Sequence, residues 1–154
     1  MATPDDTGIW PNLLALKDCV CEALEDPKCL CTVVAGSQPP FTGEHDAAWL
    51  RIVDSYNTTS FPFPVDDPER DCGAYTTATI EVGVIRCLTL NPRNPVLTNE
   101  QWLEAARKTS ADRAAVRRAI LCCDIEDKML GRWRPITVGL GVGGIWTVQI
   151  SDYH

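Results

Sequence analysis

Eight cysteines in 154 residues are the densest potential chemistry in this chain. Four of them form two CxC pairs, Cys19/Cys21 and Cys29/Cys31. Two thiolate pairs are enough ligands, in principle, for a zinc ion or an iron–sulfur cluster. The spacing argues against both. Zinc knuckles use CxxC, which lets two sulfurs turn to one metal, whereas residues two apart on a helix point roughly 200° apart. Ordinary buried thiols, or a disulfide staple from Cys19/Cys21 to Cys29/Cys31, account for the pairs better. Cys122 and Cys123 are adjacent at the end of a later helix and cannot share a side, while Cys72 and Cys87 are isolated in sequence. A nucleophilic cysteine needs a base beside it, and the histidines on offer are His45 and His154.

One segment imitates a cofactor site. Gly139-Leu140-Gly141-Val142-Gly143-Gly144 satisfies GxGxxG, the dinucleotide fingerprint. That motif works only where its last glycine opens a helix whose N-terminus faces the pyrophosphate. Here Ile145 to Ile150 is a β-branched and aromatic run, so cofactor binding is rejected on context. No GxSxG, Walker loop or HExxH is present. The acidic groups Asp66/Asp67 and Asp124/Glu126/Asp127 fall in loop-like or helix-terminal stretches, where solvated charge is the ordinary role. A carboxylate–metal nuclease would also need a basic surface. No catalytic, cofactor-binding or metal-ligating residue is therefore assigned, and the chain is not read as an enzyme.

Charge points the same way. Fourteen Lys and Arg against 21 Asp and Glu give a net charge of -7, the opposite of a phosphate-binding surface. The acidic, polar start MATPDDTGIWP has neither a basic n-region nor an apolar h-region, so no signal peptide is expected. No run reaches the roughly 18–20 apolar residues of a membrane span. A soluble protein made in the cytoplasm is expected, with no membrane contact.

The elements that would position these residues follow from periodicity. Length and a 45% hydrophobic composition suit one domain over residues 1–154. Leu13, Leu14, Leu16, Val20 and Leu24 recur at helical spacing and predict a short N-terminal helix ending before Pro27. Ala47 to Tyr56 alternates as a strand. NTTSFPFPVDDPERDCG is then a long irregular connection, in which Phe61 and Phe63 stand between prolines as anchors for a surface or as caps on the domain's own core. The longest strand pattern is Thr76 to Leu90, with Ile80, Val82, Val84 and Leu88 on one face and Thr79, Glu81, Gly83, Ile85 and Cys87 on the other. Arg86 interrupts the apolar face. Thr98 and Gln101 form a capping box, after which Trp102, Ala105, Ala106, Thr109, Val116, Ile120 and Cys123 follow one helical face. Arg107, Lys108, Arg113, Arg117 and Arg118 share the other face with Glu100, Glu104 and Asp112, as a solvated helix surface does. The tail from Arg134 predicts a β-hairpin reversed at its glycines. The sum is an α+β fold, a mostly antiparallel sheet of about four strands with the long helix across one face and the short N-terminal helix beside it.

From about Leu13 onward, the segments LLALKDCVCEAL, AAWLRIVDSYNTTSFP, TTATIEVGVIRCL, AARKTSADRAAVRRAILCC and GGIWTVQI together resemble small proteins encoded beside the head–tail joining genes of actinobacteriophages. The element order is similar to that of the tail terminator, or tail completion, proteins of long-tailed phages. The resemblance implies an α+β subunit of a homo-oligomeric, hexameric ring in the virion neck, assembled in the host cytoplasm. Such a ring caps the tail tube protein, meets the head-completion (stopper) protein on its other side, and lets DNA pass only through its lumen. It implies that Ile80, Val82, Val84 and Leu88 pack on the Trp102 helix, that Ile85 and its neighbours form a wall shared between subunits, and that the Phe61 to Tyr75 loop contacts the tube or neck. An acidic lumen suits passing DNA, because it repels phosphate weakly and does not hold it. Other neck rings, the head-closure stopper and the portal adaptor, and a small thiol-rich metal-binding protein are the alternatives. Cysteines have no evident part in such a ring.

Overall fold

The structure is a computed structural model that describes residues 8–24, 30–36, 45–65, 75–88, 93 and 96–152. In chain order it contains α1 (Trp10–Ala23), β1 (Leu30–Val33), β2 (Ala47–Thr58), β3 (Tyr75–Cys87), α2 (Asn99–Cys122), β4 (Lys128–Val138) and β5 (Gly141–Ser151). The fold class is α+β. β3 occupies the middle of a five-stranded sheet ordered β1-β2-β3-β5-β4. It pairs antiparallel with β2 on one side and with β5 on the other. This is the strand expected at Thr76 to Leu90, ending a little sooner at Cys87.

The alternation in β3 builds the core as expected on one face. Ala78, Ile80, Val82 and Val84 join Leu13, Leu16, Val20 and Leu24 of the α1 segment, and Val116, Ala119 and Ile120 of α2. Trp146, Val148 and Ile150 of β5 complete the layer. Each aliphatic side chain buried this fully contributes about 1.5–3 kcal/mol. The capping box at the start of α2 also forms: the Gln101 amide donates to Thr98 Oγ1 at 3.2 Å, and the Thr98 amide donates to Gln101 Oε1 at 2.8 Å.

The count of about four strands comes close, and four other expectations are corrected. The sheet has five strands because Leu30–Val33 adds a short parallel edge against β2; its four half-buried residues show no alternation for periodicity to detect. β4 starts at Lys128, ahead of Arg134, because a register shift between Leu130 and Trp133 breaks the alternation of its first half. Trp102 does not pack in the core. The buried residues of α2 are Asp112, Val116, Ala119 and Ile120, all from its second half, and Trp102 is 53% exposed. Leu88 lies past the end of β3, half-buried, with its amide donating to the Leu140 carbonyl at 2.7 Å.

Ile85 is the fourth. It does not form an open wall, because it is wholly buried with Ala47, Trp49 and Ile145 in a second cluster on the reverse face of the sheet. The Trp49 ring lies over Gly83, where a Cβ would overlap it. Farther along the same face Glu81 accepts from Arg51 Nε at 2.6 Å and lies 3.4 Å from Arg134 Nη2. The reverse face is thus closed by the subunit's own residues at one end and ion-paired beyond it.

Arg86, the one charge on the helix-bearing face of β3, is clamped. Its Nε and Nη2 donate to the two carboxylate oxygens of Asp112 at 2.8 and 2.7 Å, and Nη1 donates to Asp46 at 3.1 Å. The Asp112 hydrogen bonds push the guanidinium pKa above its already high ordinary value. The other Asp46 oxygen accepts the Cys87 amide at 2.8 Å. Removing one member of a buried pair strands the other, at a cost of about 3–5 kcal/mol. Asp112→Ala is therefore expected to destabilise the fold by roughly that much in urea unfolding. Ile85→Asp should unfold the isolated subunit, and a folded, monomeric Ile85→Asp would show that the reverse face is open after all.

Candidate functional site

Four of the described cysteines are structural. Cys21 is bonded to Cys31 as the staple reading expects, but Cys19 is bonded to Cys123 and not to the Cys29/Cys31 pair. Helical geometry explains the divergence: two residues apart, the thiols of α1 face opposite ways, one toward β1 and one toward the end of α2. Cys123 extends the buried row Val116, Ile120, and its neighbour Cys122 is exposed. Cys29 and Cys72 lie outside the described residues. With three of the four CxC sulfurs in disulfides, the pairs do not form a thiolate metal site in this state. Among the described residues no three His, Cys, Asp or Glu side chains gather as metal ligands would.

The GxGxxG segment is a hairpin. Gly139, with a φ of +55°, and Leu140 make the turn, and Gly141 to Gly144 are already strand. Gly143 and Gly144 are needed for packing, since a Cβ at Gly143 would strike the Val84 carbonyl and one at Gly144 the Trp133 ring. His45 is exposed ahead of β2, and His154, Asp66 and Asp67 lie outside the described residues. Asp127 accepts from the Ser151 hydroxyl at 2.9 Å and so ties down the end of β5. Lys128 turns its ammonium onto the carbonyls of Leu121 and Cys123 at the end of α2, where a cation completes unpaired acceptors.

Two apolar surface features among the described residues bear on association. The first is a groove of about 400 Å³ between the first half of α2 and the β4–β5 hairpin, lined among others by Trp102, Ala106, Trp133, Pro135, Ile136 and Val142. It exists because the core contacts of α2 begin only at Asp112. The second is the turn after β2, where Phe63 is 67% exposed. That side chain stands on a backbone held from several sides. The Phe63 amide donates to the Ser60 carbonyl at 2.8 Å, the Thr58 hydroxyl donates to the Phe63 carbonyl at 2.5 Å, and the Val65 amide donates to Asn57 at 2.9 Å. Tyr56 donates its hydroxyl to the Pro62 carbonyl at 2.6 Å and accepts from Gln149 at 2.8 Å. Burial, and then the Asp54 charge, raise the Tyr56 pKa, so the phenol keeps the proton it donates. Phe61, the other expected anchor, is half-buried.

Compared with known protein families and with curated proteins, the sequence finds no match to either. Among the described residues no helix is long and apolar enough to cross a membrane.

The disulfides close loops of 104 and 10 residues. The chain-entropy account gives the longer one about 4–5 kcal/mol and the shorter one roughly 3 kcal/mol. Non-reducing peptide mapping should recover Cys19–Cys123 and Cys21–Cys31. Adding a thiol reductant should lower the melting temperature by ten degrees or more, on the order of 2–4 °C per kcal/mol for a chain of this length. An unchanged melting temperature would mean that these bridges do not hold α1 to the sheet.

Proposed function

We propose that the protein is a structural subunit of a phage neck, a tail terminator-like ring that caps the tail tube and joins it to the head-completion complex. The observation that carries this reading is the division of α2. Its second half fills the core, while its first half holds an apolar groove open and exposes Trp102 and Leu103. A subunit with a rigid exposed aromatic at one place and an unfilled apolar groove at another is built to be joined to something.

Three further features support a structural role. The buried charges pair with one another inside the fold, Arg86 with Asp112 and Asp46, and Glu81 with Arg51, which leaves their chemistry engaged in packing. The net charge of -7 suits a ring around sliding DNA, since a like-charged wall does not retain phosphate. The disulfides suit a part that works outside the reducing cell, because such bonds persist in oxidising surroundings. They also give the cysteines a role that the ring itself does not require. The partners in this reading are further copies of the chain in a hexamer, the tail tube protein and the head-completion protein, with DNA passing through the lumen.

Light scattering of concentrated protein, together with micrographs of the protein alone and mixed with purified tail tubes, tests the proposal. Closed rings of six copies, or tubes capped at one end, are expected. A monomer under both conditions, with bare tube ends, would contradict it.

A further inference from the structure

We propose that copies of this chain join head to tail, with Phe63 of one copy seated in the groove between α2 and the β4–β5 hairpin of the next. The inference rests on the ring reading above and names the contact that would build the ring. It also moves Phe63 from the tail tube, where the family resemblance put its loop, to the neighbouring subunit.

The positions of the two features require an intermolecular contact. Phe63 follows Thr58, which pairs with Tyr75 at the beginning of β3. The groove is floored by Val142 and Gly143, which pair with Arg86 and Ile85 at the other end of β3. Ten or so residues of strand separate the two ends, roughly 30 Å at the usual rise. A knob and a groove at opposite ends of one subunit can serve either a reciprocal two-fold pair or a head-to-tail chain, and in a ring of six copies the second applies. They link heterologously, and a heterologous contact repeats into a ring when its rotation closes.

The chemistry of the two sides also matches. The groove is lined by Trp102 and Trp133 with Pro135, Ile136 and Val142, and a phenyl ring is an apolar anchor for such a lining. The hydrogen bonds around Phe63 hold its backbone before any contact, so little ordering entropy remains to be lost on docking. Charge agrees as well. Arg113 lines the groove and Lys108 is exposed on the same helix, where Arg107 is already paired with Glu104. Asp54 is exposed on β2 ahead of the turn, and Asp66, Asp67, Glu69 and Asp71 follow Phe63 in the sequence. Strand addition is the obvious competitor, since β4 is a sheet edge. Pro135 lacks an amide proton, and Arg132 and Arg134 are exposed along that edge; both devices discourage pairing with another strand. Side-chain docking beside that edge is what remains.

The test uses two variants of the whole chain, Phe63→Glu, which spoils the knob, and Ala106→Glu, which places a charge in the groove at an exposed helix position. Both should keep the melting temperature of the parent. In analytical ultracentrifugation each alone should associate roughly 30-fold or more weakly, the scale of an interface hot spot. Mixed in equal amounts they should form a dimer and nothing larger, because only one intact knob and one intact groove remain between them. If the parent forms rings and Phe63→Glu forms them equally well, the contact is wrong and the ring reading stands. A photoreactive phenylalanine analogue at position 63 covers a parent that associates only on tail tubes. Cross-links to groove peptides of a second copy are expected there, whereas cross-links to the tube protein alone, or none, overturn the proposal. Bare tube ends with monomeric parent protein would remove both readings together.

Discussion

The buried ion pair between Arg86 and Asp112 determines how this molecule is divided. A guanidinium placed on the helix-bearing face of a central strand must be neutralised where water does not reach it, and a carboxylate on α2 supplies both oxygens in a bidentate fork. Such a pair is a poor source of net stability, because desolvation takes back most of the Coulombic gain. Its consequence is positional. It pins one point of a 24-residue helix over one point of the sheet. Beyond Asp112 in one direction the helix fills the core with Val116, Ala119 and Ile120. In the other direction it stands over the β4–β5 hairpin and leaves the groove.

The same logic makes the two faces of the sheet unequal. The helix-bearing face is closed by α1 and α2, and α1 is itself held by covalent bonds to β1 and to the residue that ends α2. The reverse face is closed at one end by Trp49 over Gly83 and by Ile85, and carries the Glu81 ion pairs beyond it. Among the described residues, the Phe63 turn and the groove beside Trp102 leave apolar surface near opposite ends of β3. In the proposed ring these two places would carry the contacts between copies.

Much of this was legible in the residues. The two-residue alternation of β3, the row Leu13, Leu16, Val20 and Leu24, the Thr98/Gln101 cap and the reversal at Gly139 are local patterns, and local patterns survive into the fold. What escaped was set by distance or by irregularity. The periodic face of α2 continues through Trp102 although the sheet contact does not, because periodicity records which side of a helix is apolar and not how far its neighbour extends. Ile85 reads as a sticky second face until Trp49 and Ile145 are brought over from other strands. Asp112 looks like one more solvated acid, since its partner is 26 residues away. Cys123 carried a usable signal, a thiol on the buried face of a helix, but nothing in the spacing named Cys19 as its partner. For the groove and the Phe63 turn, sequence supplied the residue types, and only the register of β3 placed them at opposite ends.

The central claim is that the first half of α2 and the Phe63 turn belong to the assembly, while the second half of α2 belongs to the subunit. Amide hydrogen exchange compared between dilute monomer and assembled rings tests it most directly. Residues 112–122 should be equally protected in both states, and residues 99–111 together with 60–65 should gain protection only on assembly. Equal protection of both halves in the monomer, or a gain confined to other segments, would contradict the account.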